Sequence, residues 1–173
     1  CEKVEEMSLT SPSDITTDVE ANAISCFEGA NGNILVTASG GTENFSYEWS
    51  NGDIENSTNN LSEGNYNITI TDTNNCAHSE TVYISEPSQI TLDAVVGDIS
   101  CASETNGSIN VTASGGTGNL NYAWSNGITG TEVNDLADGP YELTITDDNN
   151  CETIESFTTG YYIHLTLPTN YLF

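Results

Sequence analysis

The sequence predicts an all-β protein built of tandem antiparallel β-sandwich domains in an elongated array. Three observations support this prediction: one long repeat occurs twice, apolar residues alternate with polar ones, and turn-forming residues separate the alternating segments. Several short strands at regular spacing, with turns between them, are typical of β-sandwiches. We find no segment with the periodicity of an amphipathic helix.

The chain repeats itself with a fixed period. Cys26 recurs as Cys101 and Cys76 as Cys151, so the period is 75 residues, and VTASGGTENFSYEWSNG returns as VTASGGTGNLNYAWSNG without insertion or deletion. A period of this length is typical of an array of small domains. We therefore expect four segments: the end of a preceding repeat at 1–12, a complete repeat at 13–87, a second repeat at 88–158 and a divergent tail at 159–173.

The strands follow from a comparison of the two copies. NILVTA and SINVTA keep Ile34/Ile109 and Val36/Val111 apolar while the residues between them change, and YNITITD and YELTITD behave in the same way. Alternation with a period of two predicts a strand with one face in the core. Gly-Gly and Asn-Gly pairs supply the turns. The aromatic residues expected in the two cores are Tyr47, Trp49, Tyr66, Tyr122, Trp124 and Tyr141.

The composition argues against several classes of function. The chain has one Lys or Arg, 26 Asp and Glu and a formal net charge of −25. Nucleic-acid binding needs basic side chains that neutralise phosphates, so we expect none. No segment reaches the roughly 20 apolar residues of a membrane span. The two histidines, His78 and His164, do not recur in the other copy, so we expect no catalytic nucleophile–base pair and no enzyme.

The cysteines predict disulfides, because a domain of this size has a thin core and extracellular domains often add such bonds. Two pairings fit the period: Cys26–Cys76 with Cys101–Cys151 inside each repeat, or Cys1–Cys26 with Cys76–Cys101 across the junctions. We expect the bonds inside each repeat, because the two strands thought to end at these cysteines should run in the same direction. Cys1 would then be unpaired or bonded to another molecule.

Asp72 and Asp147 are the candidate metal ligands. Each opens a turn rich in asparagine just before a cysteine. Such an aspartate either caps its own turn or contributes a carboxylate to a calcium site, since calcium prefers oxygen ligands. We expect no cofactor, and calcium is the one candidate.

The repeated segment resembles a known family. ISC…NGNILVTASGGT…YEWSNG…LSEGNYNITITDTNNC looks like the SprB-type repeat of Bacteroidota cell-surface proteins, and the second copy, with YAWSNG and LADGPYELTITDDNNC, matches as well. The tryptophan before a glycine turn and the Gly-x-Tyr strand are also similar to immunoglobulin-like and PKD-like sandwiches. The resemblance covers residues 1 to about 158. It implies a large, secreted, surface-exposed adhesin, of a group whose best-known members serve gliding motility.

The leading hypothesis is therefore a non-catalytic, extracellular repeat segment of a bacterial surface adhesin that acts as a stalk or adhesive array. Either neighbouring repeats or identical subunits are the expected partners, and surface polysaccharide is a further candidate. One alternative is the subunit of a polymeric surface filament, in which Ile163, Leu165 and Leu167 of the tail form an edge strand that docks on a neighbour. Another is a carbohydrate-binding module with exposed aromatic residues in its loops.

Overall fold

The computed structural model describes residues 12–101 and 104–161, and every regular element in these ranges is a β-strand. The chain divides into two compact units, one up to Glu86 and the other from Pro87. Nearly all of the expected preceding-repeat segment lies outside the described residues. The same holds for Cys1 and for the expected edge strand of the tail.

The first unit is a sandwich of two three-stranded antiparallel sheets. Its strands are β1 (Thr16–Asn22), β2 (Gly32–Ser39), β3 (Ser46–Trp49), β4 (Ser57–Leu61), β5 (Gly64–Thr71) and β6 (Ala77–Ile84). One sheet has the order β1-β2-β4 and the other the order β3-β5-β6. β2 and β5 are therefore the central strands, and the other four lie at sheet edges.

The second unit repeats this topology. Its strands are β7 (Thr91–Gly97), β8 (Gly107–Ser114), β9 (Asn121–Trp124), β10 (Glu132–Leu136), β11 (Gly139–Thr146) and β12 (Glu152–Thr159). The sheets have the orders β7-β8-β10 and β9-β11-β12. Every strand starts and ends 75 residues after its counterpart in the first unit. The predicted all-β class and antiparallel sandwich are confirmed.

The core of each unit lies between its two sheets, and matched residues fill it. The central strands supply side chains that alternate strictly between the core and the surface, as the sequence pattern predicts. The buried pairs at matched positions that are apolar in both units are Ile15/Ile90, Ile24/Ile99, Ile34/Ile109, Val36/Val111, Trp49/Trp124, Leu61/Leu136, Ile68/Leu143 and Ile70/Ile145.

The first unit has two ends at which its loops meet. At the end that contains Pro12, the backbone N–H of Gly41 donates to the carbonyl of Ser13 at 2.9 Å. At the opposite end, where β1 and β6 both finish, the N–H of Ile24 donates to the carbonyl of Ser85 at 3.0 Å. We call these the proline end and the exit end.

The second unit has the same two ends. Its proline end contains Pro87, and there the N–H of Gly116 donates to the carbonyl of Ser88 at 2.9 Å. At its exit end, the N–H of Ile99 donates to the carbonyl of Gly160 at 2.9 Å, where β7 and β12 finish. The two ends of a unit are thus separated by the full length of its strands.

Candidate functional site

Asp72 organises the turn between β5 and β6 at the proline end of the first unit. Its Oδ1 accepts the backbone N–H groups of Asn74 and Cys76, both at 2.9 Å, and its Oδ2 accepts that of Thr42 at 3.0 Å. The bond from Cys76 contributes most to holding the pKa of Asp72 below its ordinary value, while desolvation acts in the opposite direction. The carboxylate therefore ties the β5–β6 turn to the loop after β2.

Asp147 repeats this arrangement in the second unit. It accepts backbone N–H groups from Asn149 at 2.8 Å, from Cys151 at 2.9 Å and from Thr117 at 2.8 Å. The bond from Cys151 is again the largest cause of its lowered pKa. Two roles were predicted for these aspartates, and in the structure both cap their own turns. Within residues 12–101 and 104–161, no group of three His, Cys, Asp or Glu side chains could hold a metal, and calcium binding stays a prediction.

The two tryptophans belong to the cores. Trp49 is 2% exposed and Trp124 is 4% exposed. The indole Nε1–H of Trp49 donates to the carbonyl of Glu55 at 2.8 Å, and that of Trp124 donates to the carbonyl of Gly130 at 2.9 Å. Neither ring offers an open face, so these residues do not form a stacking platform for a sugar.

Tyr66 and Tyr141 each make a side-chain hydrogen bond that their sequence pattern did not predict. The hydroxyl of Tyr66 donates to the carbonyl of Ser62 at 3.0 Å, and that of Tyr141 donates to the carbonyl of Ala137 at 3.1 Å. A tyrosine bonded to the backbone a few residues upstream is the tyrosine corner of immunoglobulin sandwiches. The Gly-x-Tyr spacing in both copies was the available signal. The other two predicted core tyrosines, half-buried against the cores, are Tyr47 and Tyr122.

The structure corrects the predicted disulfide pairing. Cys26 and Cys151 are disulfide-bonded, whereas Cys76 and Cys101 are free, exposed thiols. Neither expected bond inside a repeat therefore exists, and the alternative Cys76–Cys101 bond does not exist either. The remaining alternative, Cys1–Cys26, is wrong as well, because it would leave the bonded Cys151 without a partner among the five cysteines of the chain.

Strand direction explains the correction. Cys26 follows β1 at the exit end, but Cys76 lies between β5 and β6 at the proline end. β5 runs towards the proline end, opposite to β1, so the expectation of a common direction was wrong. The eight residues of β6 extend over about 25 Å. A disulfide needs Cα atoms within about 7 Å of each other, so the two cysteines of one repeat cannot meet.

The outward faces of the two units differ although their cores match. At one edge strand, Glu20 of β1 corresponds to Val95 of β7, which is 74% exposed. At another edge, Ser79 of β6 corresponds to Ile154 of β12, which is 55% exposed. At these two edge-strand positions the second unit presents apolar side chains where the first presents polar ones. At a third the relation is reversed, since Tyr83 of β6 is 55% exposed and corresponds to Thr158.

Comparison with known families and structures gives two findings. The SprB repeat profile matches residues 20–54 and 94–129, which is the first part of each repeat. No curated protein sequence matches the chain significantly.

Several solved structures resemble the chain. A C-terminal 282-residue fragment of intimin, in complex with the intimin-binding domain of its translocated receptor, has a TM-score of 0.43 and 13% identity over 87% of this chain and 64% of that fragment. The N-terminal eight Ig domains of Down syndrome cell adhesion molecule have a TM-score of 0.45 and 9% identity, over 88% of this chain and 25% of that structure. DIP-gamma IG1+IG2 has a TM-score of 0.43 and 9% identity, over 87% of this chain and 99% of that structure. At these identities and scores, the resemblance says nothing about a ligand.

The chain spans less than two thirds of the length of the intimin fragment. Each unit is a sandwich of two three-stranded antiparallel sheets.

Proposed function

Because this chain carries two SprB repeats, we propose that it is a non-catalytic segment of a bacterial surface adhesin in which the sandwich units serve as a stalk or adhesive array. The observation that carries this proposal is the combination of matched cores with different outward faces. By resemblance to the best-known SprB-repeat proteins, the adhesin would be of the gliding type.

The matched cores support a scaffold role. The second repeat reproduces every strand of the first, and most buried side chains at matched positions are identical. The exceptions are the changes of Ile68 to Leu143, Thr58 to Val133 and Ile84 to Thr159. Burial of these side chains is the main stabilising contribution in a domain with so small a core. The residues that the two repeats share therefore specify the same fold in both units.

The outward faces support adhesion. An edge strand presents unpaired backbone N–H and C=O groups, and an apolar side chain beside them adds contact area for a partner. Val95 and Val96 lie together on the edge strand β7, and both are exposed. Replacing such residues from repeat to repeat changes the contact surface without changing the core.

The charge restricts what the array can bind. With a net charge of −25, the chain repels anionic surfaces at distances up to about the Debye length, which is near 8 Å in physiological salt. A neutral polysaccharide or a surface bearing cations is the class of target that this charge favours. In the described parts of the chain, no helix has the length and apolar character needed to cross a membrane.

Surface labelling tests the proposal. Fab fragments raised against the purified chain should label intact cells of the source organism as strongly as permeabilised cells. Cells lacking the coding sequence provide the control for specificity. Labelling that appears only after permeabilisation would contradict the proposed location.

A further inference from the structure

Each repeat carries two cysteines, which occupy opposite ends of their unit. The first cysteine, Cys26 or Cys101, follows the first strand at the exit end, and the second, Cys76 or Cys151, precedes the last strand at the proline end. One first cysteine and one second cysteine are disulfide-bonded, and one of each is a free, exposed thiol. Both free thiols therefore have a counterpart, in the other repeat, that forms a disulfide.

The second cysteine is held in the same way in both units. The N–H of Cys76 donates to Asp72 Oδ1 at 2.9 Å and its carbonyl accepts the N–H of Asp72 at 3.0 Å. The N–H of Cys151 donates to Asp147 Oδ1 at 2.9 Å and its carbonyl accepts the N–H of Asp147 at 3.0 Å. Since Cys151 forms a disulfide from this setting, Cys76 is preorganised to form one.

The first cysteine also lies in matched turns. In the first unit, Asn31 Oδ1 accepts the N–H of Ser25 at 3.0 Å, and in the second unit Asn106 Oδ1 accepts that of Ser100 at 3.1 Å. Each asparagine also donates its side-chain amide to the hydroxyl of the same serine. These bonds fix the backbone next to the first cysteine, so Cys101 is presented to solvent in a turn held like that of the bonded Cys26.

We propose that Cys76 and Cys101 are the two halves of a covalent joint between copies of this chain, in which Cys101 at the exit end of one copy bonds Cys76 at the proline end of another. A bond inside one repeat is out of reach, so a disulfide partner for either free cysteine has to come from elsewhere. A further repeat of the same kind on a longer chain would offer the same partners.

The reaction is an oxidation of two thiols. Both protons and two electrons leave the cysteines, and a disulfide oxidant such as oxidised glutathione accepts them and is released as two thiols, by way of a mixed disulfide. The two copies repel each other, since each carries a net charge of −25. Salt at about 1 M shortens the Debye length to roughly 3 Å and should favour the joint.

Complementary variants test the pairing. In a Cys1→Ser background, Cys76→Ser leaves only Cys101 free among the described cysteines, and Cys101→Ser leaves only Cys76. After incubation with oxidised and reduced glutathione in high salt, a covalent dimer of twice 18.4 kDa should form only when the two variants are mixed. Each variant alone should remain a monomer on a non-reducing gel.

Two outcomes would overturn the proposal: dimers of either variant alone, which require like-with-like bonds, or no dimer in the mixture. Near-ultraviolet circular dichroism checks that both variants are folded.

As a second readout, the unmutated chain is oxidised and cleaved at glutamate. The expected cross-link joins the peptide 64–80, which contains Cys76, to the peptide 81–104, which contains Cys101. The joint does not depend on the proposed adhesive function, whose labelling test is read separately.

Discussion

Replacing Val133 with threonine should destabilise the second unit, although threonine occupies the matched position in the first. Thr58 is 1% exposed, and its hydroxyl donates to the carboxylate of Asp53 while accepting the side-chain amide of Asn51 at 2.8 Å. In the second unit Val133, also 1% exposed, faces a loop in which Ile128 replaces the aspartate. A threonine hydroxyl placed there would lack the acceptor that Thr58 has.

The magnitude follows from the cost of burying a hydroxyl without an acceptor. Val133→Thr keeps the side-chain volume, so the change in the free energy of unfolding is mainly this desolvation cost, about 2 kcal/mol. Ile128 is 40% exposed, so Ile128→Asp alone should change stability by about 0.5 kcal/mol or less. Combined, the two substitutions recreate the donor and acceptor of the first unit, and the cost should fall by about 1 kcal/mol.

A double-mutant cycle in urea measures this coupling. A Trp49→Phe background, shared by all four proteins, leaves Trp124 as the fluorescent reporter of the second unit. A coupling energy near 1 kcal/mol supports the assignment of Asp53 as the partner of Thr58. If Val133→Thr costs the same with and without Ile128→Asp, the hydroxyl is satisfied in another way and the reasoning is wrong.

Three further predictions concern the second unit. Tyr141→Phe removes a hydrogen bond to a backbone carbonyl and should lower the free energy of unfolding by about 1 kcal/mol in urea titrations. The pKa of Asp147 is lowered from 3.8 in the folded state, so its contribution to stability is present above this value and is lost as the pH falls below it; Asp147→Asn should flatten the pH dependence of the urea midpoint in that range. Gly115→Ala should cost about 2 kcal/mol or more, because φ is 93° and the new Cβ would lie 2.0 Å from the carbonyl oxygen of Gln89. In Gly127→Ala, with φ of 85° and open space around the Cβ, thermal unfolding should shift less.

The strands and cores could be predicted because their pattern is local and occurs twice. Alternation around Ile34 and Ile70 defines which face of a strand is buried, and comparison with the second copy removes ambiguity about register. Turn chemistry at the Asn-Gly pairs then separates the strands. These signals need no knowledge of which strands are neighbours in space.

The disulfides could not be predicted in the same way, because they depend on which end of the sandwich a loop occupies. The expectation that Cys26 and Cys76 share an end rested on a common direction for β1 and the strand before Cys76. The pairing of β5 with β6 instead places that cysteine at the proline end. The hydroxyl bond of Tyr66 was missed for a related reason, since periodicity indicates burial but not hydrogen-bond partners.

The role of Asp72 was left open by its sequence setting, since turn capping and calcium binding need the same residue types. The structure distinguishes them through the three backbone N–H groups that the carboxylate accepts. Only the approach of Thr42 from another loop reveals that this carboxylate ties two loops together. Thr42 and Asp72 are 30 residues apart in sequence, so the pattern around either residue does not indicate that they are in contact.

Cell attachment under Fab blockade tests the central claim most directly, namely that the repeats form an adhesive surface array. Fab fragments against the purified chain are added to cells of the source organism, and the cells that remain attached to a polysaccharide-coated surface are counted under flow. We expect attachment to fall to the level of cells lacking the coding sequence, with a non-binding Fab as the control. Unchanged attachment, with Fab bound to the intact cells, would contradict the adhesive role.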